Sequence, residues 1–130
     1  MLMNLNQVTI PVRNVVNSIP FYQKLGLKLI VHTHDKYARF ECSPNGSTLS
    51  LHEVQNLPEG DRTTIYFERD DLDLYVEKLL NQGLIFEHMP VDQPWLWREA
   101  KLFDPDNHPI IIYKAGKNRI DPPWKYFAEK

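Results

Sequence analysis

The sequence predicts an α+β fold: two βαβββ repeats forming a curved, cupped mixed sheet, with helices on its outer face. Three observations predict it. The order strand, helix, three strands can be read twice along the chain. Punctuating residues recur at fixed offsets: Gly26 and Gly83 stand 57 residues apart, as do Gln7 and Thr64, while Pro44 and Pro105 stand 61 apart, as do Ser50 and Ile111. The strand segments also alternate apolar and polar residues with a period of two, the signature of a half-buried strand. Matched punctuation at low identity is the mark of a structural duplication. The change of offset puts extra residues of the second repeat in a loop at residues 88–97.

The first repeat, residues 5–54, opens with a strand at residues 6–12, where Val8, Ile10 and Val12 share one face. Asn17 or Ser18 is placed to cap a helix, with Pro20 tolerated in its first turn, Phe21, Tyr22 and Leu25 as its apolar stripe, and Gly26 as its stop. Strands follow at residues 27–31, 37–42 and 48–54, the last two joined by a Ser-Pro-Asn-Gly turn. Residues 55–62, with Pro58 and Gly60, read as a linker. The second repeat, residues 63–115, has a strand at 64–69 and a helix capped by Asp70 or Asp71. That helix carries Leu72, Val76, Leu79 and Leu80 as its stripe and stops at Gly83. Strands at 84–87, 99–103 and 110–114 follow, with an Asp-Pro-Asp-Asn turn before the last. Residues 116–130 form a tail without periodicity, in which Trp124 is the candidate anchor.

The chain has 130 residues, 42% of them apolar, with 15 basic and 17 acidic side chains. That length suits one domain with a real core, here residues 1–130 as a whole. A net charge of −2 without a basic stripe argues against nucleic-acid binding. One cysteine, Cys42, forms no internal disulfide and reads as a core thiol. The N-terminus lacks the pattern of a signal peptide and no apolar run is long enough to span a bilayer, so a cytoplasmic protein without membrane contact is expected.

Four phrases carry a resemblance: QVTIPVRNVVNSIPFYQKLGLKLI (7–30), TLSLHEV (48–54), TIYFERDDLDLYVEKLLNQG (64–83) and FDPDNHPIIIY (103–113). They resemble the vicinal oxygen chelate superfamily, which includes glyoxalase I, extradiol dioxygenases, fosfomycin-resistance enzymes and bleomycin-resistance proteins. The resemblance implies paired βαβββ modules around a cavity, and a homodimer. By motif position the family's metal ligands fall at Gln7, Ser50, Thr64 and Ile111. Only Gln7 is a plausible ligand, because hydroxyls bind catalytic divalent ions poorly and Ile offers no lone pair. No cofactor is therefore expected, and a divalent metal at a shifted site of Gln7, His52 and Glu68 is the lesser alternative.

Strand parity turns Gln7, His52, Tyr66, Glu68 and Tyr113 toward the cavity, so these should converge. His52 reads as a general base or as a satisfied strand-end histidine. Glu68 reads as an acid or base, or as a carboxylate paired with Arg69 or Arg98. Tyr113 or Tyr66 would polarise a ligand or simply line the wall. The offset of 61 aligns Arg98 with Tyr37 and Ala100 with Arg39, which turns Arg39 and Arg98 inward beside Trp95 and Trp97. An aromatic wall with guanidinium groups suits a planar or anionic small molecule; the same loop read blandly plugs the cup or packs on a second subunit. Two functions remain open: a ligand-binding protein doing lyase or isomerase chemistry without the standard metal, or a non-catalytic protein that sequesters a drug or metabolite.

Overall fold

The computed structural model describes residues 1–127; the end of the expected tail, residues 128–130, lies outside them. The elements in order are β1 (Gln7–Val12), α1 (Val15–Leu25), β2 (Lys28–Thr33), β3 (Tyr37–Glu41), β4 (Thr48–Glu53), β5 (Ile65–Glu68), α2 (Leu72–Asn81), β6 (Phe86–Asp92), β7 (Arg98–Phe103), β8 (Pro109–Lys114) and a 3-10 helix (Gly116–Arg119). The strands form two four-stranded mixed sheets, ordered β1-β4-β3-β2 and β5-β8-β7-β6. Each is one βαβββ module. In both, the first strand pairs in parallel with the last and the remaining pairs are antiparallel. The chain divides into a first unit, residues 1–62 with 104–107, and a second unit, residues 63–103 with 108 onward.

In the first unit, α1 starts earlier than Asn17 or Ser18. Its N-cap is Asn14, whose extended backbone (φ −146°, ψ 106°) leaves its side-chain oxygen to accept the Asn17 N–H at 2.9 Å. Ser18 is then a buried residue inside the helix, and Pro20 lies in its second turn. Gly26 closes the helix in the left-handed conformation (φ 112°), which L side chains rarely adopt. The helix lies on one face of its sheet, where Tyr22, Phe40, Leu49, Leu51 and Val12 are fully buried and the Tyr22 and Phe40 rings lie 5.7 Å apart. The Asp-Pro-Asp-Asn turn packs with this unit. Tyr22 donates its phenol proton to the buried Asp104 carboxylate at 2.6 Å, and the Arg13 N–H donates to Asp106 at 3.0 Å. Burial, and next the Asp104 charge, hold the Tyr22 phenol far above its ordinary range, so it stays a donor.

In the second unit, Asp71 stands at the N-cap of α2 without a side-chain capping bond, because Arg69 grips its carboxylate through two contacts of 2.8 Å. Leu72, Val76 and Leu79 are buried, whereas Leu80 is turned half outward. The first half of the expected loop at 88–97 is strand. β6 runs to Asp92 through two register shifts, and Pro90 is tolerated because β6 is the sheet edge, where a missing N–H leaves no partner unsatisfied. The remaining turn is closed by Gln93 N–H to Trp97 O at 2.8 Å and Leu96 N–H to Gln93 O at 3.0 Å.

The repeat holds, but its register differs in one place. Tyr37 and Ala38 pair with His52 and Leu51, while Glu99 and Ala100 pair with Tyr113 and Ile112. β3 and β7 are therefore related by 62 residues and not 61. The connection from Glu41 to Thr48 has six residues between the paired ends, and that from Phe103 to Pro109 has five. One residue of register exchanges the two faces of a strand. Ala38 and Ala100 are thus equivalents, both fully buried, as are Phe40 and Leu102. Neither helix is long and apolar enough to cross a membrane.

Candidate functional site

In each unit the helix covers one face of the sheet, and chemistry-bearing side chains gather on the other. On the first sheet this open face carries two adjacent rows across β1, β4 and β3: Thr9, Ser50, Arg39 and Pro11, His52, Tyr37. Gln7 lies at the next level beside Thr48. A continuous polar network joins them. Gln7 Nε2 donates to Thr9 at 3.0 Å and to Ser50 at 2.9 Å, and Thr48 donates back to Gln7 Oε1. Ser50 Oγ lies 2.7 Å from the Tyr37 hydroxyl, which accepts the Arg39 Nε–H at 3.0 Å. The Ser50 hydrogen bond, then Arg39, lowers the Tyr37 phenol below its ordinary range. Arg39 has no carboxylate partner among the described residues, so its Nη groups remain available to an anion.

The open face of the second sheet has a different chemistry. Its rows are Tyr66, Ile111, Lys101 and Glu68, Tyr113, Glu99. Trp97 stacks on Tyr113 (4.7 Å between centroids, 27°), and Tyr66 meets both rings edge-on. Ile111, Tyr113 and Ala115 form a small buried cluster against Trp97. Burial raises the phenols of Tyr66 and Tyr113, and the carboxylates of Glu99 and Glu68 respectively add to it.

Several expected site residues sit elsewhere than parity implied. Arg98 is not on the open face. It points to α2, donating to Asp73 through Nε at 2.9 Å and Nη2 at 3.0 Å, and to Asp92 at 3.1 Å. The one-residue difference in hairpin length is the reason. Gln7 and His52 share a face but do not converge: His52 is level with Pro11, four residues past Gln7, which is about 13 Å along a strand. His52 is exposed there. Glu68 pairs with neither Arg69 nor Arg98. It caps the chain after β8, accepting the N–H groups of Ala115 at 3.0 Å and Gly116 at 3.3 Å, with Arg119 at 3.6 Å. Trp97 spends its ring on Tyr113 and its indole N–H on Asn118 O (3.2 Å), so it is packing rather than a free wall. Trp95 is nearly half exposed and donates to Glu99 at 2.7 Å. Cys42 is half-buried, and burial raises its thiol, which leaves it a poor nucleophile.

Sequence reasoning missed two residues. Tyr37 joins Arg39 to Ser50, and Glu99 is a buried carboxylate on the second open face. A correct count across the two β-hairpins aligns them with each other, and that was the available signal.

The donor set at the four family positions does not fit a divalent ion. Ser50 is fully buried and held by Gln7 and Tyr37, both polar atoms of the Gln7 amide are bonded, and Ile111 is packed against apolar neighbours. Among the described residues no three His, Cys, Asp or Glu side chains are grouped to hold a metal. The shifted set is also unfavourable, since Glu68 is engaged and His52 stands away from Gln7.

Residues 4–112 match the family model described as the Glyoxalase/Bleomycin resistance protein/Dioxygenase superfamily. No curated protein sequence matches the chain. Among solved structures, a glyoxalase/bleomycin resistance protein/dioxygenase from Nocardioides is 24% identical with a TM-score of 0.72, over 88% of this chain and 85% of its own. Lactoylglutathione lyase from Agrobacterium tumefaciens is 14% identical with a TM-score of 0.72, over 94% and 96%. TioX from Micromonospora sp. ML1 is 12% identical with a TM-score of 0.71, over 87% and 99%. At these identities the likeness is one of fold.

Proposed function

The chain belongs to the glyoxalase/bleomycin resistance protein/dioxygenase superfamily, and from that premise we propose that it binds a small anionic molecule on the open face of its first sheet. One observation carries this reading: Arg39 is held in place by the Tyr37–Ser50–Gln7 network while its guanidinium has no carboxylate partner among the described residues. A preorganised, unpaired guanidinium is suited to a carboxylate or phosphate, which it meets through two parallel N–H bonds. Tyr37 and Gln7 supply further polar contacts around the anion.

Catalysis is a second reading, favoured by the lowered Tyr37 phenol in the row that also carries His52. Such a pair supports proton transfer of the lyase or isomerase type, with Arg39 holding the developing negative charge. The residues at the four family positions do not form a donor set suited to a metal-dependent dioxygenase route. From the family resemblance we also expect a homodimer, and from composition and charge patterning a cytoplasmic protein that binds neither nucleic acid nor membrane.

The test is a thermal-shift and calorimetric screen of small monocarboxylates, dicarboxylates and phosphomonoesters. We expect saturable binding by one class, weakened at least tenfold in Arg39→Ala with the unfolding midpoint of the free protein retained. Equal affinity for wild type and Arg39→Ala would remove the proposed anchor.

A further inference from the structure

We propose that Glu99 is the anchor of a subsite for a small organic cation, an alkylammonium or quaternary ammonium group, on the open face of the second sheet. The proposal rests on the reading above only in taking the open faces as ligand-bearing; it is independent of Arg39.

Glu99 is 3% exposed, yet it has no cationic partner among the described residues. Its one hydrogen bond comes from a neutral donor, the Trp95 indole N–H, at 2.7 Å to Oε2. A buried carboxylate usually pairs with a cation, because losing water is costly without a compensating charge. The neighbouring cations are committed elsewhere. Lys101, two residues along the same strand and face, turns to Glu87 at 3.7 Å and over the Phe103 ring. Arg119 turns to Glu68. Among the described residues Oε1 makes no hydrogen bond, and it keeps a small contact with solvent.

The surroundings suit an organic cation better than a metal ion. Glu99 stands beside Tyr113, whose ring meets Tyr66, and Trp95 and Tyr66 are each nearly half exposed. Indole and phenol faces attract ammonium groups through the ring quadrupole, and a carboxylate adds the charge term. The turn that brings Trp95 over Glu99 is itself held against local preference. Leu96 adopts φ 67°, a left-handed conformation that a non-glycine residue takes up only at a cost.

The experiment titrates the full chain with tetramethylammonium chloride, read by tryptophan fluorescence at ionic strength held constant with sodium chloride. tert-Butanol, similar in size and uncharged, is the control. We expect a saturable response to tetramethylammonium and none to tert-butanol. Glu99→Gln keeps an acceptor for Trp95 and removes the charge; it should weaken binding at least tenfold. Arg39→Ala should bind the cation as wild type does, so loss of anion binding with retention of cation binding separates the two proposals. If Glu99→Gln lowers the unfolding midpoint, Trp95→Leu at the exposed ring is the second variant, read by the Trp97 indole resonance, and it should also weaken binding. No saturable response in wild type, an equal response to both probes, or unchanged affinity in a folded Glu99→Gln or Trp95→Leu overturns the proposal.

Discussion

The two sheets share one topology and carry opposite chemistry on their open faces. Where the first has Thr9, Ser50 and Arg39, the second has Tyr66, Ile111 and Lys101. Where the first has Pro11, His52 and Tyr37, the second has Glu68, Tyr113 and Glu99. The helix-covered faces tell the reverse story: Ala38 matches Ala100, Phe40 is filled by Leu102, and Leu51 by Ile112. Packing density constrains the helix-covered faces to similar volumes, whereas the opposite faces carry polar and aromatic groups that need not match between the halves. The duplicated core is thus the part that is alike, and the polar network of one face against the aromatic cluster of the other is where the halves differ.

The equivalence of the covered faces is the easiest to break. Phe40→Ala and Leu102→Ala should each cost about 3 kcal/mol in denaturant unfolding, since both side chains are fully buried. Lys101→Ala should cost about 0.5 kcal/mol or less as a substitution away from the core. If Lys101 proved as costly as Leu102, the offset between β3 and β7 would be 61 after all.

A contrast of intermediate size lies in the tyrosines. Tyr37 is pushed down by Ser50 and Arg39, while Tyr66 and Tyr113 are pushed up by burial and neighbouring carboxylates. Phenolate absorbance should then rise in separate waves as pH increases, with Tyr37 in the first. Tyr37→Phe should delete that wave, and Tyr66→Phe should leave it intact. A single wave unchanged by Tyr37→Phe would mean that the two faces do not differ in this respect.

The smallest effect is expected at Arg98. Its bonds to Asp73 and Asp92 are exposed and on the helix side, so Arg98→Ala should leave ligand affinity as it was. Its consequence belongs to acid stability. Arg98 holds the Asp73 carboxyl below its ordinary range, so the pair's contribution is present above the unfolded carboxyl range and is lost as pH falls through the folded value. Arg98→Ala should flatten that part of the acid-unfolding profile. Weakened anion binding in this variant would return Arg98 to the open face.

Much of the fold was legible in single residues. Gly26 and Gly83 adopt positive φ after their helices as their spacing implied, and the alternation of Ile10, Leu49, Leu51, Ile110 and Ile112 marked the covered faces. The cap of α1 was misplaced because Asn14, Asn17 and Ser18 are all competent caps, and only the backbone angles choose between them. Residues 88–97 read as a loop because the change of offset falls there, and a strand through Pro90 is readable only once that strand is known to be an edge. The candidate site was legible for Gln7 and Arg39, which strand parity turned to the correct face, and illegible for Arg98 and Glu99.

The sequence by itself determined the duplication, the superfamily and the poverty of metal ligands at the four expected positions, because these depend on residue identity and spacing along one strand at a time. Tertiary structure decided which residues share a level and a face across strands. That choice rests on hairpin length and hydrogen-bond register, where one residue moves Arg98 to the helix side and brings Glu99 beside Tyr113. It also decided which polar groups are already spent, as Glu68 is on the Ala115 and Gly116 N–H groups, and which, like Arg39, have no counter-ion among the described residues.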